Sequence, residues 1–205
     1  EFGLYFSLFN FSLLLNIILD FGITNFNNRN IAQNHNILSK HLSNIISLRL
    51  LLALAYAFLS LMIALIIGYD ERQLFILGVL IFNQFLSSLI LYLRSNISGL
   101  QLFKTDSFLS VLDRLLMIIL CSILVWGNVT DKIIKIEWFV FTQTTAYLLT
   151  AVIAFFIVLR KTTFFKFNFD FRFFRVFLKK SYPYALLILL MAFYNRIDSV
   201  MLERL

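Results

Sequence analysis

LLLALAYAFLSLMIALIIGY, Leu50–Tyr69, runs for 20 residues without one charged side chain. Wound as a helix, a run of that length covers about 30 Å, the thickness of a bilayer's hydrocarbon layer. Similar charge-free runs lie on either side of it. Phe2–Leu19 has 18 residues, Gln73–Leu93 has 21, Leu115–Thr130 has 16, Trp138–Leu159 has 22 and Ser181–Asn195 has 15. In lipid every backbone N–H and C=O must be satisfied within the protein, and no strand-like alternation with turns fills these runs. The pattern predicts an all-α, polytopic membrane protein with six transmembrane helices. Their expected extents are about 2–23, 45–69, 73–97, 107–127, 138–159 and 181–205, with a linker over 160–180.

Composition agrees. Hydrophobic residues make up 60% of the chain, charged residues 14%, and mean hydropathy is +0.87. A soluble domain carries about 25% charged residues. The one cysteine, Cys121, excludes an intramolecular disulfide and a cysteine metal cluster. The chain opens at Glu1 rather than Met and stops at Leu205 inside an apolar helix, so both ends read as cut.

The net charge of +7 is unevenly spread. Arg29, Lys40, Arg49, Arg94, Lys104, Arg114, Arg160, Lys161, Lys166, Arg172, Arg175, Lys179 and Lys180 fall on one side of the expected spans. Only Arg72, Lys132 and Lys135 fall on the other. The positive-inside rule puts the first set in the cytoplasm, so Glu1 is expected outside and the 160–180 linker inside.

Polar residues within the spans mark candidate sites. Asn16, Asp20, Asn27, Asn30 and Asn34 recur at spacings of 4, 7, 3 and 4. On a continuous helix they share one face and line a water-filled groove. The competing reading is an asparagine-rich loop over residues 24–41. The triplet Asp20-Phe21-Gly22 matches a kinase metal motif by letters only. Near the chain's end, Asn195, Arg196 and Asp198 follow the only proline, Pro183. Arg196 lies about 20 Å into that helix. A charge at such depth costs several kcal/mol against lipid, so it needs a cavity or a partner. Asp113 and Arg114 point about 100° apart, and a structural role is expected for them.

In the linker, Phe165, Phe167, Phe169, Phe171 and Phe173 alternate with polar residues, which suggests a short extended piece. From about Asp170 on, Phe171, Phe174, Phe177 and Leu178 fit a helix face. Basic and aromatic residues beside a membrane point to anionic lipid rather than nucleic acid. His35 and His41 are six apart, off a common helix face, and read as loop residues. No phosphate loop, paired catalytic carboxylates or metal-spaced His/Cys set is present, so the chain does not read as an enzyme.

Two phrases carry a family resemblance. EFGLYFSLFNFSLLLNIILDFGITNFNNRNIAQ (Glu1–Gln33) resembles the second helix of polysaccharide flippases of the multidrug/oligosaccharidyl-lipid/polysaccharide exporter superfamily. LKKSYPYALLILLMAFYNRIDSVML (Leu178–Leu202) resembles the start of that family's second lobe. The resemblance implies helices two to seven of a two-lobe fold. Residues 1–159 then belong to the first lobe, 160–180 to the cytoplasmic linker and 181–205 to the second lobe's first helix. It implies alternating-access flipping of undecaprenyl-pyrophosphate-linked oligosaccharide across the bacterial inner membrane, for surface polysaccharide biosynthesis.

Under that resemblance the substrate-binding candidates are Asn16, Asp20, Asn27, Arg29, Asn195, Arg196 and Asp198. Arg29 and Arg196 would meet phosphate, and the asparagines sugar hydroxyls. Asp20 and Asp198 would place the arginines or couple a cation gradient. No cofactor is implied. The partners are lipid-linked oligosaccharide, membrane lipid and other polysaccharide-assembly proteins. Two other readings compete: a drug/cation antiporter of the same superfamily, and a membrane-embedded polysaccharide polymerase or ligase. Mixed intramembrane charges count against the first, and short outer loops against the second.

Overall fold

A computed structural model describes residues 2–34, 37–126, 136–162 and 169–203, with side chains for all of these except 2, 37, 39, 40 and 192–203. No strand occurs among them. The helices are α1 (Phe2–Leu14), α2 (Ile17–Asp20), α3 (Ile23–Gln33), α4 (Ile37–Ile67), α5 (Glu71–Gly99), α6 (Phe103–Trp126), α7 (Ile136–Leu159) and α8 (Phe171–Glu203). Within α4, α5, α6 and α7, His41–Ile67, Glu71–Gly99, Phe103–Trp126 and Ile136–Leu159 are long and apolar enough to cross a membrane. Gly3–Leu14 and Ile17–Gln33 together make a fifth, broken span bent by 40°. The expected sixth span lies on α8, whose distal side chains are outside the described residues.

Three expectations are corrected. The first span is not one continuous helix. Phe21 and Gly22 both take left-handed backbone, with φ of 42° and 74°. That ends α2 and restarts the chain as α3; the 40° bend itself lies earlier, between Leu14 and Ile17, so Asn16 of the polar stripe sits at the bend and the rest of the stripe follows it. Gly22 permits the break because it has no Cβ. It also lets α8 come close: a Cβ there would sit 2.4 Å from the Ala185 nitrogen and 2.7 Å from the Ser181 oxygen.

Second, α4 starts at Ile37, not near residue 45. His41 is therefore helical, with its ring 5.1 Å from that of Phe173. The reading of 24–41 as a loop fails with it, since α3 and α4 cover most of that stretch. Third, α8 begins at Phe171, ahead of the expected 181. Asp170 starts it, because its Oδ1 accepts the N–H groups of Arg172 at 2.9 Å and Phe173 at 3.2 Å. This is the geometry of an N-cap, and it fixes the helix start that an apolar run alone does not reveal. Phe174 and Phe177 of the expected face are buried, while Phe171 is exposed. The remainder of the alternating phenylalanine piece, 163–168, and His35 lie outside the described residues.

Turn chemistry sets the other boundaries. Gly68 (φ 86°) closes α4 in the left-handed conformation usual after a helix end. Gln73 reaches back to accept the Asp70 N–H at 3.0 Å, half of a capping box at the start of α5. Arg72 meets Glu137 at 2.8 Å, tying the starts of α5 and α7 together. At the opposite end of the bundle, Arg94 meets Asp106 at 2.7 Å, tying α5 to α6.

Helix α5 is central and packs against α1, α2, α3, α4, α6 and α7. One apolar cluster, with Tyr5, Leu8, Tyr56, Leu77 and Val140, fills the Arg72–Glu137 end. Another, with Ile45, Leu93, Ile97, Val158 and Phe177, fills the Arg94–Asp106 end. Polar side chains on the buried face of α5 thread both: Asn83, Gln84, Ser88, Ser95 and Asn96. Gln84 donates to Ser12 at 3.3 Å, and Asn83 donates to Gln143 at 3.4 Å. Such groups cannot turn to lipid, so they hold neighbouring helices in register.

Candidate functional site

The break between α2 and α3 leaves backbone N–H groups at the start of α3 without helical partners. Asp20 is placed to answer them. Its Oδ1 accepts the Thr24 N–H at 3.2 Å and also the Thr24 hydroxyl. The same oxygen accepts Nη2 of Arg49, at 2.5 Å. Arg49 comes from α4 and is 1% exposed, against 26% for Asp20. Its Nη1 donates to the Ser88 carbonyl at 2.8 Å and the Ser88 hydroxyl at 2.6 Å, and Nη2 also donates to the Thr24 hydroxyl at 2.7 Å. The guanidinium carbon lies 4.8 Å from the centre of the Tyr92 ring, a cation–π distance. A buried cation is tolerable only when paired and hydrogen-bonded, and Arg49 is both.

Beside this cluster lies a cavity of about 710 Å³ bounded by α1, α2, α3, α5 and α8. Most of its wall is apolar, from Leu13, Leu14, Ile17, Leu91, Ile188 and Leu189. Its polar corner is made by Asn16, Asp20, Thr24, Asn25 and Ser88. Such a cavity suits an amphipathic ligand with a hydrogen-bonding head. A smaller pocket of about 280 Å³ sits between α3 and the Lys180–Tyr184 stretch of α8 and includes Arg29, Asn30, Lys180 and Tyr184. Arg29 donates to the Tyr184 hydroxyl at 2.9 Å. The two cations there can meet an anion.

The candidates from sequence are thus distributed. Asn16 and Asp20 line the larger cavity, and Arg29 the smaller. Asn27 lines neither. It is 1% exposed, and its amide donates to Ser95 at 3.1 Å and Asn96 at 2.9 Å, clasping α3 to α5. Asn195, Arg196 and Asp198 fall on distal α8, where side chains are outside the described residues.

Arg49 was missed, because it was counted among loop charges. Its signal was present. Leu42, Ile45, Tyr56 and Ser60 are among the buried positions of α4, and Arg49 falls in the same helical register as these four. Ser88 was also overlooked, inside a run read only as a span.

A family model described as polysaccharide biosynthesis protein matches residues 1–205. No curated protein and no solved structure matches the chain.

Proposed function

The chain belongs to the polysaccharide biosynthesis protein family, and on that premise we propose that it is a transporter that flips undecaprenyl-pyrophosphate-linked oligosaccharide across the bacterial inner membrane. The observation that carries this reading is the larger cavity, apolar along most of its wall and polar at the Asp20 corner. A head group rich in hydroxyls needs such a corner, while a polyprenyl tail can stay in lipid. The Arg29–Lys180 pocket adds cationic partners suited to a diphosphate.

Alternating access, a two-lobe organisation with α1–α7 in the first lobe and α8 in the second, and a cytoplasmic 160–180 linker belong to the same proposal. They are supported by the charge distribution and by the separation of Arg72–Glu137 from Arg94–Asp106 at opposite ends of α5.

Deleting the full-length gene tests the reading. Lipid-linked oligosaccharide should accumulate on the inner leaflet and surface polysaccharide should fall. The wild-type gene should restore export, and Arg29→Ala/Lys180→Ala should restore it poorly at normal protein levels. Single oligosaccharide units waiting on the outer leaflet would instead indicate a polymerase. Unchanged surface polysaccharide would remove the transport reading.

A further inference from the structure

We infer that the polar corner of the larger cavity is a site for uncharged, hydroxyl-bearing groups and is closed to cations, because Arg49 neutralises Asp20 from behind the cavity wall. Asp20 is the only charged side chain among the described residues lining that cavity. Alone, a carboxylate facing a mostly apolar wall would attract a cation, since the wall offers its charge no other partner. Asp20 is not alone. Arg49 sits outside the lining, is 1% exposed, and keeps its charge permanently. It is held by Ser88, Thr24 and the Tyr92 face, and not by Asp20 alone. The countercharge therefore cannot swing away to admit another cation.

The hydrogen bonds described for the carboxylate all fall on Oδ1. Oδ2 is left as an acceptor on a side chain that lines the cavity. The corner then presents a strong acceptor, with the Asn16 and Asn25 amides as donors and acceptors, at no net charge. Sugar hydroxyls, which donate and accept, match that set. A diphosphate does not match, and cationic side chains for it lie in the separate Arg29–Lys180 pocket. The two pockets thus sort the neutral and anionic parts of one ligand. Naming that ligand a lipid-linked sugar rests on the proposed function; the charge selectivity does not.

Two amphiphiles with the same tail test it: octyl glucoside, with a neutral sugar head, and octyltrimethylammonium, with a cationic head. Both are added below their micellar concentrations to the full-length protein in lipid nanodiscs. Leu14, exposed on the apolar wall of the cavity, is changed to Cys in a form of the protein cleared of its other cysteines, Cys121→Ser included, and the rate of maleimide alkylation is read. Octyl glucoside should slow alkylation several-fold and octyltrimethylammonium should not. In Arg49→Gln the ammonium should become protective, and adding Asp20→Asn should abolish that gain. Arg49→Lys should behave as the parent does.

Protection of the Arg49 parent by the ammonium, or by neither amphiphile, would overturn the inference. So would a folded Arg49→Gln that gains no ammonium protection. Where Arg49→Gln fails to fold, the parent's response to the two heads decides alone. None of these readouts depends on export, so transport and charge selectivity can fail separately.

Discussion

Removing the guanidinium of Arg49 leaves the Asp20 carboxylate without its buried partner, and breaking such a pair costs about 3–5 kcal/mol. Arg49→Leu should therefore lower the unfolding temperature strongly. Arg49→Leu/Asp20→Leu should recover most of that loss, because an apolar replacement of both partners is often neutral for stability. It should not recover export. Thermal unfolding of the four proteins, set as a double-mutant cycle, measures the coupling; additive effects would show that the pair is not a unit.

Glycine positions give a second residue-level comparison. Gly22→Ala meets both a left-handed φ and the α8 backbone 2.4 Å away. The strain alone is about 1–2 kcal/mol, and α8 must shift in addition. Gly78 has open space around it and an ordinary helical φ, so Gly78→Ala should be stabilising by roughly 0.5–1 kcal/mol. Unfolding midpoints moving in the same direction for both would contradict the close approach at Gly22.

At the level of elements, α7 works through small side chains. Ala146, Thr150 and Ala154 recur every four residues and are fully buried, and α7 lies against α5 and α6. Small residues let helices approach closely in lipid, where packing replaces the hydrophobic drive. Ala146→Leu should wedge the helices apart and cost about 1–3 kcal/mol. Leu148 is 44% exposed on the outer face of the same helix, so Leu148→Ala should leave the unfolding temperature nearly unchanged. A stability loss at 148 as large as at 146 would reverse the assignment of faces. The interhelical clasp at Asn27 is weaker per bond, about 0.6 kcal/mol on average in membranes. Asn27→Leu should lower stability modestly while leaving ligand protection at the Leu14 wall in place.

For the whole molecule, the proposed orientation can be tested at the bundle's two ends. Glu71 and Lys104 are both exposed and stand at opposite ends of the described bundle. In the full-length protein cleared of its native cysteines, Cys121 included, Glu71→Cys should react with a membrane-impermeant thiol reagent on intact cells. Lys104→Cys should react only after the cells are opened. The opposite pattern would invert the topology. Arg49 no longer counts toward this asymmetry, because it is buried in α4 rather than in a loop.

Helical class, membrane residence and the approximate spans follow from the sequence alone, because the absence of charge over the thickness of a bilayer leaves a chain few alternatives. Asp20 and Asn16 could be chosen as site candidates for the same reason: a polar group in an apolar run needs an explanation wherever it points. The direction in which it points is another matter. Asn16 and Asn27, read as one stripe, are separated by two left-handed residues; Asn16 lines a cavity and Asn27 binds α5. The left-handed backbone at Phe21–Gly22 lies against α8, which arrives from far along the chain, and no local propensity encodes that approach. Arg49 looks like a topology-setting charge until α4 is seen to start at Ile37 and Ser88 and Tyr92 of α5 are found around it. The sequence determined that charges within these helices would need partners, because lipid cannot solvate them. Only the tertiary structure decided which charge meets which, because that depends on distances between helices that sequence separation does not measure.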